Sequence, residues 1–372
     1  MASFILYAGT PSSHPVDFRG ANMSKSGSSG KHVTLRDIGA ALGVSHSTVS
    51  LALRDHPRIS EKMRAKVKSK AEELGYQPDP MLAALATYRR SRTDQPITAS
   101  IAWINAWPDP KDLRAHREFD SYWQGASKAA EKFGYRLEEF RLDANFTPER
   151  LHQILDTRGI RGLLLPPHHT QPDWKNFPWD KYSVVRFGRT LQSPSCHIVT
   201  ADQVANTILA FQKMHERGYR RIGFVAHNFE FRYNGMLFEL GYIGGQRMID
   251  DCVKLPPLLL RRRKPEEVRA SLRAWLDEHR PDAIFTTLTD LPAMLKQEQL
   301  KVPDDVAVAA TTILDTNVDS GIDQHPEEIG RVGFLMLNSL INDGSRGIPD
   351  IFRQILVEGS WVDGSSLPDR SV

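Results

Sequence analysis

The chain has 372 residues, 40% of them hydrophobic and 25% charged, with a net charge of only +3. That length exceeds one small core, and the composition excludes both a disordered chain and a fibre. Two cysteines exclude a disulfide framework and fit a reducing compartment, so Cys196 and Cys252 read as small buried hydrophobes.

Residues 1 to about 30 are rich in Ser, Gly and Pro without periodicity, and are expected to form a disordered tail, with Met23 a second candidate start. The apolar run from Phe4 to Ala8 lacks a basic lead-in, and no later run approaches the length of a membrane span. A cytoplasmic protein with no membrane partner is expected. Charge is unevenly spread: residues 31–93 carry twelve Lys/Arg against six Asp/Glu, a balance of +6 in a chain whose total is +3. A basic head on a mildly acidic body is the footprint of a nucleic-acid binder.

From Thr34 the pattern becomes helical. Thr34 and Asp37 form a capping-box-like start to a helix carrying Leu35, Ile38 and Leu42. Gly43 suits a turn that requires positive φ, and Ser45 is placed to cap a second helix that turns Val49 and Leu53 inward. Ser60 starts a third, with Met63, Val67, Ala71 and Leu74 as its apolar stripe and Gly75 as its end. Asp79 and Pro80 then allow a short helix over Met81 to Ala86, followed by a polar linker from Arg89 to Pro96.

Beyond it, β-rich runs at Ser100 to Ile104, Arg161 to Leu165, Ser183 to Phe187, Arg221 to Ala226, Ala283 to Thr287 and Val306 to Ala310 alternate with amphipathic helices. Phe133-Gly134-Tyr135 and Arg217-Gly218-Tyr219 read as glycine-capped helix ends feeding strands. The alternation predicts an α/β region of two parallel-sheet lobes with a ligand cleft at the carboxyl ends of the strands.

The run from Val33 to Ser50, VTLRDIGAALGVSHSTVS, resembles the start of LacI-family regulators, and the likeness continues through Ile59-Ser60, Leu74-Gly75-Tyr76 and Pro78. More loosely it extends over the rest of the chain, through Gly125-Ala126, Ile160 to Pro166, His215 to Val225, Val302 to Val306, Pro326 to Gly330 and Val357 to Gly364. A departure is Ala309-Ala310-Thr311, where members commonly carry a glycine and an acid after the strand. The resemblance implies an all-α helix-turn-helix headpiece over 31–76, a hinge helix and linker over 77–96, and a two-lobed periplasmic-binding-protein-like (type I) sensor over 97–372. Its first lobe is expected at about 97–193 and 322–347, its second at about 194–321 and 348–372.

The same resemblance puts His46, Ser47, Ser50 and Leu51 on the recognition-helix face that lies in the major groove, with hydroxyls of Thr48 and Ser50 suited to phosphate. Leu51 stands where an Arg often reads guanine, and offers apolar contact only. Thr34, Ser45, Arg54 and Tyr76 complete the candidate headpiece set. Leu82 and Leu85 belong to the hinge, Leu85 as a wedge into the minor groove. In the sensor, Arg232 and Asp290 match effector-contacting positions, a fork of donors opposite a carboxylate that suits a polyhydroxylated ring. Phe119 and Gln324 fall at two further cleft positions, and Asn105 or Trp107 ends the first sensor strand.

The implied function is a sequence-specific transcriptional regulator, a repressor acting as a homodimer on a near-palindromic operator and controlled by a carbohydrate effector. A purine-type corepressor is the alternative within this class; a solute-binding or enzymatic α/β protein is the alternative outside it. For an enzyme, the chain offers no nucleophile elbow, no P-loop and no cluster with metal-ligand spacing among its 13 His. No cofactor, metal or catalytic residue is expected.

Overall fold

A computed structural model describes residues 33–53, 58–76, 99–143, 146–168, 171–227, 232–260 and 264–371, with 232–235 as backbone only. The expected tail, Arg54, and the hinge and linker lie outside the described residues. The chain divides into two compact units between Gln77 and Pro78.

The first unit holds helices α1 (Leu35–Leu42), α2 (His46–Leu53) and α3 (Glu61–Glu73). Each expected boundary residue does a local job. Asp37 N–H donates to the Thr34 hydroxyl and the Asp37 carboxylate accepts from Thr34 N–H, a reciprocal capping box. Gly43 ends α1 at φ 66°, where a side chain would be strained. Ser45 accepts from Thr48 N–H at 3.1 Å, and Ser60 from Met63 N–H at 3.4 Å. Ile38, Val49, Ala52, Val67 and Ala71 close a small core, edged by Leu35, Leu42, Leu53, Met63, Leu74 and Tyr76.

The second unit is two α/β lobes. The first contains β1 (Ala99–Asn105), α4 (Pro110–Ala115), α5 (Arg117–Lys132), β2 (Tyr135–Arg141), α6 (Pro148–Thr157), β3 (Gly162–Leu165), β4 (Ser183–Phe187) and β5 (His197–Ala201). The second contains α7 (Gln203–Glu216), β6 (Ile222–His227), α8 (Arg232–Met248), β7 (Leu258–Leu260), α9 (Pro265–His279), β8 (Ala283–Thr286), α10 (Leu291–Gln297), β9 (Ala307–Ala310) and β10 (Gly321–Asp323). The chain then returns to the first lobe for α11 (Pro326–Asp343) and β11 (Gln354–Val357), and crosses once more to β12 (Ser360–Val362).

The sheets run β11-β5-β4-β3-β1-β2 and β12-β10-β9-β8-β6-β7, parallel throughout except for the β10–β12 pair. The fold class is thus the expected one, but the expected lobe crossings at 194 and 348 need correction. Val185 to Phe187 of β4 pair with His197 to Val199, and Gln354 to Val357 pair with Ile198 to Ala201. Two segments assigned to the second lobe therefore complete the first sheet, and the chain crosses near 202, 324 and 358. The cause is in the strands themselves: β5 is buried along its whole length and needs cover on both edges.

The helices that cover the first sheet come extremely close. A Cβ on Gly125 of α5 would overlap the Glu327 carbonyl of α11, and one on Gly330 the Tyr122 carbonyl of α5. These two glycines let one backbone lie directly against the other, which sets the position of α5 and of the loop that leads into it.

Candidate DNA-reading helix and sensor cleft

In the headpiece, α2 turns Val49 and Ala52 into the core and leaves His46 and Ser47 exposed, with Ser50 and Leu51 half-buried. The Ser45 hydroxyl lies 2.8 Å from both the Ser47 and the Thr48 hydroxyls, so three hydroxyls cluster at the start of the helix. Not every candidate contact stands ready for a phosphate: the Thr34 hydroxyl donates to Asp37 at 2.7 Å, and half-buried Tyr76 packs on the core. Exposed Arg36, Lys62, Lys66 and Lys68 supply positive charge on the same unit, while Lys70 is paired with Glu73 at 2.6 Å. Arg54, Leu82 and Leu85 lie outside the described residues.

In the sensor, strand order reverses between β1 and β3 and again between β6 and β8. Crevices at such switch points are where open α/β sheets take ligands. The end of β1 leads to Asn105 and Trp107, and the end of β3 to His168. Asn105 is 1% exposed, and its amide is wholly engaged. It donates to the Pro110 carbonyl at 2.9 Å and to Glu139 at 2.7 Å, and accepts from Trp107 N–H at 3.0 Å. Its work is to shape the loop after β1. The Trp107 indole donates to the Pro167 carbonyl at 2.8 Å, and His168 accepts from Ala106 N–H at 3.1 Å, so the ends of β1 and β3 are laced together.

Trp107 and Phe119 are brought together with centroids 6.2 Å apart, and His116 lies 5.3 Å from each. Half-buried Phe119 also packs against Tyr122 at 5.9 Å. Beside it stands Glu118, which the sequence reading missed. Burial pushes its carboxyl up to about 7, bonds from Tyr122 and Thr312 oppose that, and the charges of Asp315 and Asp323 add to it. No periodicity marks Glu118 or Asp315, because their meeting joins residues almost two hundred positions apart.

The remaining candidates sit on the second lobe and its crossings. Asp290 is exposed at the start of α10, making no side-chain cap bond. Gln324 is buried on a crossing, its amide donating to the Thr311 carbonyl at 2.7 Å. Arg232 begins α8, at the end of the β6 side of the switch point; its side chain is outside the described residues. Both cysteines are free and buried, and burial raises the Cys196 thiol to about 12.

Residues 34–79 match the family model described as bacterial regulatory proteins, lacI family, and residues 211–367 match the periplasmic binding protein-like domain. The HTH-type transcriptional repressor CytR of Escherichia coli (strain K12) is 25% identical over 321 residues, covering 82% of this chain and 88% of that one. The chain thus carries a headpiece of the lacI family type ahead of a periplasmic-binding-protein-like domain. With that pairing it is a DNA-binding transcription regulator and not an enzyme.

Solved structures agree on the fold. The transcriptional regulator CelR in complex with cellobiose aligns with a TM-score of 0.56 at 22% identity, covering 90% of this chain and all (100%) of that one. The lac repressor dimer bound to operator and an anti-inducer aligns with a TM-score of 0.50 at 15% identity, covering 91% of this chain and 100% of that one. Among the described residues of this regulator, no helix is long and apolar enough to cross a membrane.

Proposed function

We propose that this regulator is a cytoplasmic repressor that binds a near-palindromic operator as a homodimer and releases it when a carbohydrate enters the inter-lobe cleft. The observation that carries the DNA half is α2: a helix capped by Ser45, held by Val49 and Ala52, with His46 and Ser47 outward at its first turn. Those side chains would meet base edges, with Ser50 and Leu51 beside them, while the hydroxyls of Thr48 and Ser50 serve the phosphates and Ser45 and Arg54 complete the contact set. At the hinge, Leu85 would wedge into the minor groove, with Leu82 on the same short helix.

The effector half rests on the aromatic pair Trp107 and Phe119 beside a carboxyl, with Asp290, Arg232 and Gln324 supplying polar contacts from the other lobe and its crossing. Aromatic faces stack on the apolar side of a sugar ring, and fixed donors and acceptors sort its hydroxyls. Asn105 acts behind them, on loop shape. The cellobiose bound by CelR supports this class of ligand. A ligand can alter operator affinity only through its different affinity for the two lobe arrangements, so closure is the event that must reach the headpiece.

The test is selection of genomic fragments on the purified chain, followed by titration of the recovered operator with a panel of mono- and disaccharides and of purines. Protection of two half-sites, lost on adding one sugar, is the expected result. Equal affinity for operator and scrambled duplex would reject the DNA half; response to a purine alone would reject the carbohydrate.

A further inference from the structure

Helix α5 has no cap of its own. Its N-cap residue, His116, makes no side-chain cap bond. Backbone donors in a first helical turn need an acceptor, and here the other lobe provides it. Asp315, on the loop after β9, accepts from Arg117 N–H at 2.8 Å with one carboxylate oxygen and from Glu118 N–H at 3.0 Å with the other. The Arg117 guanidinium donates in return to the Leu314 carbonyl at 3.0 Å. The loop that carries Asp315 is itself tied down within the second lobe. Thr311 N–H donates to the Thr286 carbonyl at 2.9 Å and Ile313 N–H to the Ile322 carbonyl at 3.2 Å. Asp319 accepts from Ser365 and Ser366 N–H groups, both at 2.8 Å.

We propose that Asp315 is an inter-lobe clasp, an N-cap supplied in trans to α5, so that opening the cleft uncaps the helix and closing it re-forms the cap. A local capping side chain would travel with its helix and be indifferent to lobe position. Asp315 does not travel with α5, so the stabilisation that an N-cap gives a helix becomes a bias toward the closed arrangement. The first turn so held carries Phe119, which packs on Trp107; Asp315 is therefore a positioning residue for that aromatic wall as well as a latch. Only this last consequence rests on the effector reading above. The clasp itself concerns the lobes alone and is tested without effector or DNA, so its failure would leave that reading standing.

The experiment uses the full chain with Cys196 and Cys252 replaced by Ala and spin labels on Arg150→Cys in α6 and Glu266→Cys in α9, both exposed. Inter-lobe distance distributions are then read by pulsed dipolar spectroscopy. Asp315→Ala should shift the closed-to-open ratio toward open by about two- to thirty-fold, the range of a lost helix cap. Asp315→Asn keeps one acceptor oxygen, and should fall between Ala and the parent. Amide exchange at Arg117 and Glu118 should quicken in the Ala variant, while circular dichroism verifies that each variant is folded. A distribution unchanged in Asp315→Ala would overturn the clasp. So would equal opening in the Ala and Asn variants, because a charge effect and not a cap would then be at work.

Discussion

The headpiece and the sensor cleft are built by opposite means. In the headpiece every polar boundary residue acts within three positions of itself: Thr34 on Asp37, Ser45 on Thr48, Ser60 on Met63. In the cleft the equivalent work is done at long range, with α5 capped from Asp315 and Gln324 bonded to Thr311 across a crossing. Local capping makes a unit that stays folded whatever its surroundings do. Capping from a distance makes one whose order depends on where its neighbour is, and dependence of that kind is what a sensor needs.

The largest effect should come from the glycines that bring α5 and α11 together. Gly330→Ala drives a methyl into the Tyr122 carbonyl, with backbone and not a flexible side chain in the way. A cost of about 3 kcal/mol is expected, at the upper end for overpacking, because neither helix can shift without disturbing the sheet beneath. Calorimetry of the full chain should show the sensor transition fall while that of the headpiece holds. If both transitions stay in place, the two backbones do not approach as closely as described.

That contrast also explains what was legible. Headpiece caps and stripes follow from spacing alone, so Thr34, Gly43, Ser45 and Ser60 were readable at once. The six β-rich runs were readable too, because buried parallel strands are continuous apolar stretches. Strand β5 and edge strand β11 were not: β5 begins with a histidine, β11 alternates half-buried and exposed residues, and neither shows its lobe until it is paired. Among the candidate cleft residues, Trp107 and Phe119 do meet. Asn105 instead braces a loop, since an amide buried behind Glu139 and Pro110 has no capacity left. Glu118 and Asp315 escaped because nothing in either neighbourhood shows which residues the distant loop brings up.

A second prediction addresses the local side of the comparison. Ser45→Ala removes the oxygen that accepts from Thr48 N–H, and should destabilise the headpiece by about 1 kcal/mol, as lost N-caps do. Because the cap is local, the loss should be confined to the headpiece transition and leave the inter-lobe distance of the sensor untouched. A variant that also opened the lobes would show that the two units are not energetically separate.

The smallest effect should be a pH dependence of closure, and its sign is set by Glu118. Burial raises its carboxyl to about 7 from 4.5. Facing it are Tyr122 on its own helix, Thr312 and Asp315 on the loop after β9, and Asp323 on β10; Arg117 and His116 flank it, and His325 stands 3.6 Å from Asp323. A raised carboxyl favours the arrangement that raises it while it is protonated. Closure is therefore helped below about 4.5, takes up a proton between about 4.5 and 7, and loses that help as pH rises through 7. Glu118 remains half-buried, so solvent screening should hold the change to roughly a few fold between about pH 5 and 8. The labelled chain should accordingly sit more open at the alkaline end, and Glu118→Gln should flatten the profile while keeping the Asp315 cap. A slope that survives in Glu118→Gln would assign the proton to another group, while a parent that opens on acidification would reverse the coupling.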